Sequence, residues 1–465
     1  MDPLKSITPI DGRYREKVRL LEDYFSEYAF IKERVRIEIE YLIKFIDEVE
    51  NSKIASLPSD WKNVLCEVYQ NFSIRDAEEV KEIEKTVGHD VFAIVRYLME
   101  KVDKCGLTVL KPYLHIGLTS EDVNNLAYSL LMKKFNEEVL IPYLLKLVDE
   151  LSRLSLENIN VVMLARTHSV PAVPTTFGRF LVNYAYRVAK IVEELSDIEF
   201  PGKIGGAIGD YNALKFVYPE IDWILFSKIF VESLGLTYFP AFTQTLPHEQ
   251  LSNYLMKIAL LDSILSNLCR DLWMLSLIEY ISFQAGKHEV HSSTMPHKSN
   301  PILLENAEGA FDLSSEILSY ISRRLLSSRL HRDLSDSIIK RFYGLPLSLT
   351  ILGIQNLTSS LNRLEINKER MLKDVEEHPE VLSEAYQVFL RRHGFPEAYE
   401  TIQRLLKENP QKIRGELEKR VPSEKLREII KLAPHEYLGE AERIVKLLIR
   451  EIEEIKNRIH SLKLR

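Results

Sequence analysis

The stretch 248–285, HEQLSNYLMKIALLDSILSNLCRDLWMLSLIEYISFQA, contains neither Gly nor Pro. As a single helix its 38 residues would measure about 57 Å. Apolar side chains recur in it at three- and four-residue steps, as on one face of a helix: Leu261, Ile264, Leu265, Leu268, Leu272, Leu275 and Ile278. A helix this long cannot bury such a face alone. The stretch therefore predicts a bundle whose members pack along their length, and it favours oligomerisation.

The rest of the chain supports an all-α fold with three helical domains. Residues 1–111 form an N-terminal helical domain. Residues 112–364 form a central domain of long helices that contains a polar loop, and the segments 179–200 and 310–343 also lack Gly and Pro. Residues 365–465 form a C-terminal domain of shorter helices, of which 435–465 reads as one amphipathic helix. The best strand candidate is the short run 161–164.

Composition limits the class of protein. The chain has 465 residues, 45% of them hydrophobic, which is enough for a sizeable core, and only 17 glycines, which suits long helices. A net charge of −7 disfavours a nucleic-acid binder. Three cysteines far apart fit neither a disulfide framework nor a zinc site, so a reducing compartment is expected. No signal peptide or simple membrane span is visible, and we expect a cytoplasmic protein.

Several familiar motifs do not fit. The glycines of PGKIGGAIGDYNA (201–213) lack the G-x-G-x-x-G spacing and follow a predicted helix rather than a strand. The pair His248-Glu249 lacks the second His of a zinc-protease helix. The histidines at 288, 291 and 297 have only a weak metal-ligand spacing and are expected in a solvated loop. The sequence therefore predicts no metal and no nucleotide cofactor.

The segment 291–305, HSSTMPHKSNPILLE, is polar and follows the long apolar stretch. Asn300-Pro301 looks like an N-cap followed by Pro at the first helical position, so a helix should restart there. Residues 292–299 are then an exposed loop between two long helices. Such a loop is either a plain polar connector or a mobile catalytic lid, and the residues alone give these two interpretations similar weight.

A family resemblance favours the second interpretation. The segment 291–305 closely resembles the signature of the fumarase/aspartase superfamily, G-S-S-x-M-P-x-K-x-N. Other segments resemble the adenylosuccinate lyases within it, and the resemblance runs from residue 9 to about 448. The segments are PIDGRY (9–14), EKTVGHD (84–90), GLTSED (117–122), ARTH (165–168) and SRLHRDLSDS (328–337).

This resemblance implies a β-elimination that releases fumarate from adenylosuccinate and from the succinylated aminoimidazole carboxamide ribotide. Such chemistry needs a base, an acid, and cations or amides around the developing charge. The resemblance assigns the base to Ser292 and the acid to His168, with Glu305 paired to His168. From the residues alone, a satisfied core or capping histidine is the commoner interpretation of a lone His such as His168, and Glu305 could equally be an ordinary charge early in a helix.

The resemblance also implies the substrate ligands. Thr119 and Ser120 would bind a succinyl carboxylate at a helix start, where Thr119 and Asp122 also fit a capping box. His89 with Asp90 would contact the phosphate or the reacting end. Without the resemblance, each of the remaining ligands would be read as an ordinary solvated side chain. They are Arg13, Tyr14, Gln244, Ser293, Lys298, Asn300, Asn306, Arg332, Ser337 and Arg341.

The chain departs from the family pattern at three places. Ser169-Val170 stands where the family has Gly-Gln after the catalytic histidine, His291 replaces the Gly before the serine pair, and Gly88 replaces the usual Asn or Arg before His89. The family also forms homotetramers in which three subunits build each site. His168, Ser292 and the His89–Thr119 region would then come from three different chains.

Two alternatives remain. One is another superfamily lyase, acting on argininosuccinate, fumarate or aspartate. The segments 9–14 and 332–337 argue against it, because they resemble members with nucleotide substrates. The other is a non-enzymatic helical scaffold. The presence of all four residues of the implied catalytic set argues against it: Ser292, His168, Lys298 and Glu305.

Overall fold

The computed structural model describes residues 3–50, 57–284, 295, 299–408, 413–420 and 431–463. About 71% of the protein is helical, which confirms the predicted all-α class. The α-helices are α1 (Arg15–Val18), α2 (Glu22–Phe25), α3 (Glu27–Phe45), α4 (Trp61–Gln70), α5 (Ile74–Val87), α6 (Asp90–Lys104), α7 (Ser120–Phe135), α8 (Ile141–Glu157), α9 (Phe177–Ser196), α10 (Asn212–Val217), α11 (Trp223–Ser233), α12 (Glu249–Leu277), α13 (Ile302–Leu325), α14 (Ser335–Lys340), α15 (Gly344–Leu361), α16 (Lys368–Glu376), α17 (Ser383–Arg392), α18 (Ala398–Glu408), α19 (Ile413–Arg420) and α20 (Ala441–Lys463).

The strands in the described residues are short and form three two-stranded sheets. β1 (Val162–Thr167) and β2 (Val170–Thr176) make an antiparallel hairpin, which confirms the predicted strand near residue 162. β3 (Pro201–Gly202) pairs in parallel with β4 (Thr237–Tyr238), and β5 (Ile281–Phe283) pairs antiparallel with β6 (Leu364–Ile366).

The chain groups into two compact units. The first unit comprises Met1–Tyr143, Glu194–Ser263 and Gly309–Gly353, and the second comprises Leu144–Glu193, Ile264–Glu308 and Ile354–Arg465. Each point where the chain passes from one unit to the other falls inside a helix, namely α8, α9, α12, α13 or α15. This grouping does not test the three consecutive domains, which stay a prediction.

The first unit is built around α3 and α7. Ser26 starts α3, because its side chain accepts a hydrogen bond from the Ala29 N–H at 3.1 Å. Phe30 of α3 stacks on Tyr128 of α7 with ring centroids 4.2 Å apart. Buried aromatic contacts of this kind stabilise the packing beyond the area they remove from water. They hold the middle of α7 against α3.

In the second unit, the hairpin β1–β2 packs against the helices that follow β6. Leu164 of β1 belongs to a buried cluster with Val375, Leu382, Tyr386 and Leu390. Burying five such side chains supplies several kcal/mol, at about 1.5–3 kcal/mol each. The hairpin is therefore anchored at the end opposite to its turn.

The length predicted for the longest helix is wrong. α12 ends at Leu277, so its 29 residues span about 44 Å instead of the 57 Å expected for 248–285. Glu279 takes a left-handed conformation with φ 63°, and the Tyr280 N–H donates to the Leu275 carbonyl at 3.0 Å. This backbone pattern ends helices and is usual for Gly, so a non-glycine residue gave no warning of it in the sequence.

The run 310–343 is not one helix either. α13 ends at Leu325 and α14 begins at Ser335, with Leu330 between them at φ 50°. The Asp333 carboxylate accepts a hydrogen bond from the Ser335 N–H at 2.8 Å and so marks the restart.

Two predicted helix starts also shift. α13 begins at Ile302, and the Pro301 carbonyl accepts from the Glu305 N–H at 3.1 Å, so Pro301 takes the cap position predicted for Asn300. α20 begins at Ala441 rather than at 435, after Gly439 turns the chain at φ 53°.

The apolar stripe of α12 is largely used inside the chain. Leu261, Leu265, Leu268 and Leu272 are fully buried without any partner subunit. The stripe is therefore the wrong basis for expecting oligomerisation. Another set of α12 side chains is exposed: Met256, Leu260, Trp273, Met274 and Leu277.

One helical stretch among the described residues, Ser335–Leu361, passes a length and composition test for crossing a membrane. Its mean hydropathy is only 1.2, and 61% of the tested window is buried inside the protein. A core helix of the same composition passes this test too.

Candidate active site

α7 begins at the predicted capping box. The Thr119 N–H donates to Asp122 Oδ2 at 2.9 Å. The Asp122 carboxylate is fully buried and also accepts from Lys203 Nζ at 2.7 Å and from the N–H groups of Gly205 and Gly206 at 2.9 and 3.0 Å. The glycine-rich segment thus donates its N–H groups to a carboxylate of the protein, and it fixes the first turn of α7.

The approach to this turn requires glycine. Gly117 has φ 70°, and a Cβ there would lie 2.4 Å from the Leu214 side chain. Gln244, a predicted substrate ligand, contacts the glycine-rich segment, because its amide donates to the Ala207 carbonyl at 2.7 Å. Gln244 therefore belongs to the same local structure as the start of α7.

The predicted ligands His89 and Ser120 come together. His89 is the N-cap of α6, and its Nδ1 accepts from the Phe92 N–H at 3.2 Å. In the neutral ring the proton then lies on Nε2, which is 3.4 Å from Ser120 Oγ. Half of the His89 side chain is exposed. Two helix starts, those of α6 and α7, thus meet at a solvent-accessible point.

Asp90 joins Arg341 to this point. Its Oδ2 lies 2.9 Å from the buried Arg34 guanidinium and 3.3 Å from that of Arg341, which also contacts Glu27 at 3.0 Å. Burial raises the pKa of Asp90, but the two arginines outweigh that effect and the net pKa is lowered. Asp90 is therefore an anionic anchor for arginines next to His89.

Arg332 reaches the start of α7 through a buried ionic cluster. Glu121 Oε2 contacts Arg332 Nη1 at 3.0 Å, and Glu121 Oε1 contacts Lys340 Nζ at 2.9 Å. Lys340 also contacts Asp336 at 2.7 Å, and Ser337 lies beside Asp336 on α14. The sequence reasoning missed Glu121 and Lys340 as parts of the site, because their contact joins residues 219 positions apart.

His115 is another residue that the sequence reasoning missed. It precedes the Thr119 turn at φ 61°, and its Nδ1 lies 2.6 Å from the buried Glu38 carboxylate. Burial disfavours the imidazolium, but the Glu38 charge outweighs it and raises the pKa of His115. The position of His115, four residues before Thr119, was the feature of the sequence that could have indicated its place near the site.

Arg13 and Tyr14 lie in the N-terminal turn before α1. The Tyr14 N–H donates to the Pro9 carbonyl at 2.9 Å, and the Arg13 guanidinium lies 6.0 Å from the centre of the Tyr14 ring. Their neighbours Asp11 and Arg15 line a cavity of about 240 Å³ together with Arg341. The turn is thus near Arg341, although Arg13 itself points to an exposed position.

In the second unit, His168 occupies the tip of the β1–β2 hairpin. Thr167 pairs with Val170, so His168 and Ser169 form a two-residue turn, with φ 53° and 69°. Such turns favour residues like Asn-Gly, because both positions require positive φ. Among the described residues, the exposed His168 side chain makes no hydrogen bond or ion pair. The imidazole ring of His168 is therefore exposed at the surface of the chain.

The hairpin below His168 is held by one carboxylate. Asp374 Oδ2 contacts Arg166 Nη2 at 2.6 Å and accepts a hydrogen bond from the Tyr280 hydroxyl. Tyr280 directly precedes β5, the strand that leads toward residue 285. One buried side chain thus connects the end of β1 next to the His168 turn with β5.

The other predicted residues of the second unit are exposed or outside the described residues. Glu305 is exposed at the start of α13, where its Oε1 accepts from the Trp273 indole at 3.3 Å; within the chain it does not contact His168. Asn306 is exposed and Asn300 half-buried. The predictions for Ser292, Ser293, Lys298 and His291 fall outside the described residues.

No group of three His, Cys, Asp or Glu side chains in the described ranges is arranged to hold a metal ion. The histidines at 288, 291 and 297 lie outside those ranges, so the absence of a metal stays a prediction.

Comparisons with known proteins give the family. A model described as lyase matches residues 12–311, and one described as adenylosuccinate lyase C-terminal matches 328–438. Adenylosuccinate lyase of Buchnera aphidicola subsp. Baizongia pistaciae is 38% identical over 96% of this chain and 97% of its own. Those of Escherichia coli K12 and Dictyostelium discoideum are 36% and 39% identical, each over 87% of this chain and over 89% and 88% of their own.

Solved structures agree on the fold. A fumarate lyase from Mesorhizobium sp. BNC1 has a TM-score of 0.75 at 18% identity, covering 94% of this chain and 97% of its own. The 3-carboxy-cis,cis-muconate lactonizing enzyme from Pseudomonas putida has a TM-score of 0.74 at 19% identity, covering 95% and 98%. Near-full-length similarity at well above 30% identity, together with the matching C-terminal model, shows that the chain belongs to the adenylosuccinate lyase family and is a C–N lyase.

Proposed function

We propose that this lyase cleaves adenylosuccinate into AMP and fumarate, and the succinylated aminoimidazole carboxamide ribotide into the carboxamide ribotide and fumarate. The observation that carries the proposal is the meeting of His89 and Ser120 at the start of α7, with Arg332 and Arg341 close by. Hydroxyl, imidazole and guanidinium donors at a helix start form a site for a multiply charged anion.

The charge of the substrate fits this site. Adenylosuccinate carries a phosphate and two carboxylates, about four negative charges at neutral pH. The whole protein has a net charge of −7, so cations must be concentrated locally. The acidic residues at the start of α7, Glu121 and Asp122, are both buried and each is paired with a lysine. Their charges are therefore compensated and do not repel the anion.

The elimination uses two proton transfers, one from the succinyl carbon adjacent to the C–N carbon and one to the nitrogen. The Ser292 alkoxide takes a proton from the succinyl CH2 carbon, the C–N bond breaks as the C=C bond of fumarate forms, and protonated His168 gives its proton to the departing nitrogen. Fumarate and the amine of the nucleotide result, so atoms and charges balance. Glu305 pairs with His168 in the assembled enzyme. The exposure of His168 and of Glu305 in the single chain is compatible with that pairing between subunits.

The other predicted ligands surround the anion. Thr119 and Ser120 bind one succinyl carboxylate, and Lys298 with Asn300 binds the other. His89 contacts the phosphate or the reacting end, beside the arginine anchor Asp90. The remaining contacts come from Arg13, Tyr14, Gln244, Ser293, Asn306, Arg332, Ser337 and Arg341. The scheme uses neither a metal nor a nucleotide cofactor.

The active form is a homotetramer in the cytoplasm with sites shared between subunits. The exposed apolar side chains of α12 supply a surface for other copies of the chain. None of the three cysteines, all of which lie in the described residues, forms a disulfide, which suits a reducing compartment.

The proposal is tested by incubating the purified protein with adenylosuccinate and following ultraviolet absorbance, with AMP and fumarate identified as products. We expect full activity in EDTA. Ser292→Ala and His168→Ala should each lower kcat by about 10²–10⁴-fold, and Ser293→Ala much less. Cleavage of argininosuccinate instead would contradict the proposed substrate, and a requirement for added metal would contradict the metal-free scheme. A larger loss of kcat from Ser293→Ala than from Ser292→Ala would contradict the choice of Ser292 as the base.

A further inference from the structure

Four charged side chains form a closed cluster in the first unit, which we call the Glu121 cluster: Glu121, Arg332, Asp336 and Lys340. The side chains of Glu121 and Lys340 are 3% and 5% exposed, while Arg332 keeps 18%. Lys340 Nζ lies 2.9 Å from Glu121 and 2.7 Å from Asp336. Arg332 Nη1 lies 3.0 Å from Glu121 and 3.7 Å from Asp336. Two carboxylates thus share two cations.

The cluster joins two groups of proposed substrate ligands. Glu121 directly follows Ser120 in the first turn of α7. Lys340 ends α14, directly before Arg341, and Asp336 precedes Ser337. A contact between Glu121 and Lys340 therefore sets the distance between the ligands on α7 and those on α14.

The two cations of the cluster differ in what they can do. Arg332 is a proposed ligand and is partly exposed, whereas Lys340 is enclosed by the cluster and by the Tyr128 ring, 5.8 Å from its Nζ. Burial lowers the pKa of Lys340, but Glu121 and Asp336 outweigh it, so the pKa is raised and Lys340 stays charged. Lys340 can compensate the carboxylates at all times, which lets Arg332 turn toward an incoming anion.

No neighbouring group can take over that task. His248 lines the same cavity as Lys340, and burial followed by the charge of Lys340 lowers the pKa of His248 to about 3. His248 is therefore neutral at neutral pH. Among the described residues, Arg332 is the one other cation within 4 Å of Glu121. If Lys340 lost its charge, Arg332 would be the one cation left within 4 Å of Glu121 among the described residues.

We propose that Lys340 is a positioning residue for the lyase reaction: it shares Glu121 and Asp336 with Arg332, and by holding their charge it allows Arg332 to exchange these carboxylates for the anionic substrate. The inference rests on the proposed function, in which Arg332 is a substrate ligand. Its chemistry is a competition between two internal carboxylates and the substrate for one guanidinium group.

The test compares steady-state kinetics of the full chain with adenylosuccinate. Lys340→Met should raise KM by about tenfold or more and change kcat by less than about threefold, because a ligand used in binding is withheld. Lys340→Arg keeps the charge and should stay within about threefold of the parent KM. Glu121→Gln combined with Lys340→Met removes one competing carboxylate and should bring KM most of the way back.

Controls separate this role from general stabilisation. Lys101→Met removes a partly buried lysine that pairs with Asp76 at 2.7 Å, away from the Glu121 cluster, and should leave KM unchanged. Circular dichroism and thermal melting establish that each variant is folded. If Lys340→Met does not fold, the double variant and Lys340→Arg still decide the matter, since the inference requires near-parent KM for both.

The outcomes are distinguishable. A parent enzyme without adenylosuccinate cleavage, or an Arg332→Met variant with parent KM, overturns the proposed function of the site. A second outcome overturns the role of Lys340 and leaves the proposed function standing. It is an active parent and an Arg332→Met variant with raised KM, together with a folded Lys340→Met variant that keeps the parent KM. A double variant whose KM stays as high as that of Lys340→Met also overturns it, because the carboxylate would then not be the competitor.

Discussion

Ser169 sits in a conformation that suits glycine better. Its φ of 69° is in the left-handed region, which costs a side-chain-bearing residue about 1–2 kcal/mol. We expect Ser169→Gly to raise the free energy of unfolding of the hairpin region by about 0.5–1 kcal/mol, since the added freedom of glycine in the unfolded chain offsets part of the gain. Thermal melting of the purified protein measures the shift.

Ser169→Ala is the matched control, because it removes the hydroxyl and keeps the Cβ. It should show no stabilisation. An equal gain from Ser169→Ala would mean that the hydroxyl, and not the backbone, is the unfavourable feature.

The His115–Glu38 pair makes stability depend on pH. The folded pKa of His115 is raised above its unfolded value of about 6.5, so the pair stabilises the fold fully below that value. The contribution is lost as pH rises through the folded pKa. We expect the melting temperature of His115→Gln to fall below that of the parent at pH 6 and the two to converge by pH 9. Glu38→Gln removes the same pair and should converge likewise; a gap that widens with pH would refute the assignment.

At the scale of elements, the start of α7 depends on Asp122. Asp122→Ala removes the cap on Thr119 and leaves Lys203 buried without its carboxylate. Breaking a buried pair from one side costs about 3–5 kcal/mol. We expect a loss of that size in denaturant unfolding.

Asp222→Ala provides the comparison, because Asp222 caps α11 through the Leu225 N–H at 3.0 Å without a buried ion pair. It should cost only about 1 kcal/mol. Equal losses from the two variants would show that the ion pair with Lys203 contributes nothing beyond the cap.

The elements also show what a sequence can and cannot predict. The capping box at Thr119 and the strand near Val162 follow from local residue chemistry, and both were predictable. The end of α12 was not, because Glu279 adopts a left-handed backbone without being Gly. Periodicity identified the buried face of α12 correctly but could not tell whether that face packs inside the chain or between chains.

The same limit applies to the site. The resemblance placed His89 and Ser120 in one site, and their side chains meet. It did not include Lys340, His115 or Glu38, because tertiary pairing of distant charges leaves no pattern in a single sequence. Such contacts are set by packing of whole helices, which local propensity does not encode.

At the scale of the whole molecule, the described part of the chain does not bring His168 and Glu305 of the proposed catalytic set together. His168 is exposed at a hairpin tip, and its proposed partner Glu305 contacts Trp273 instead. A shared site predicts complementation between inactive variants. When His168→Ala and Ser292→Ala proteins are denatured, mixed and refolded, about a quarter (½ × ½) of the sites should contain both native residues. Adenylosuccinate cleavage should rise to about that fraction of the refolded parent activity.

Two controls make the result decisive. Parent protein carried through the same refolding gives the reference activity, and differently tagged subunits prove that hybrid tetramers form. Each variant refolded alone should stay inactive. If hybrids form and no activity returns, His168 and Ser292 of a given site must come from one chain, since only that arrangement leaves every site with one defect. The elimination chemistry would stand, but the exposed His168 tip would then have to meet its serine within the same subunit.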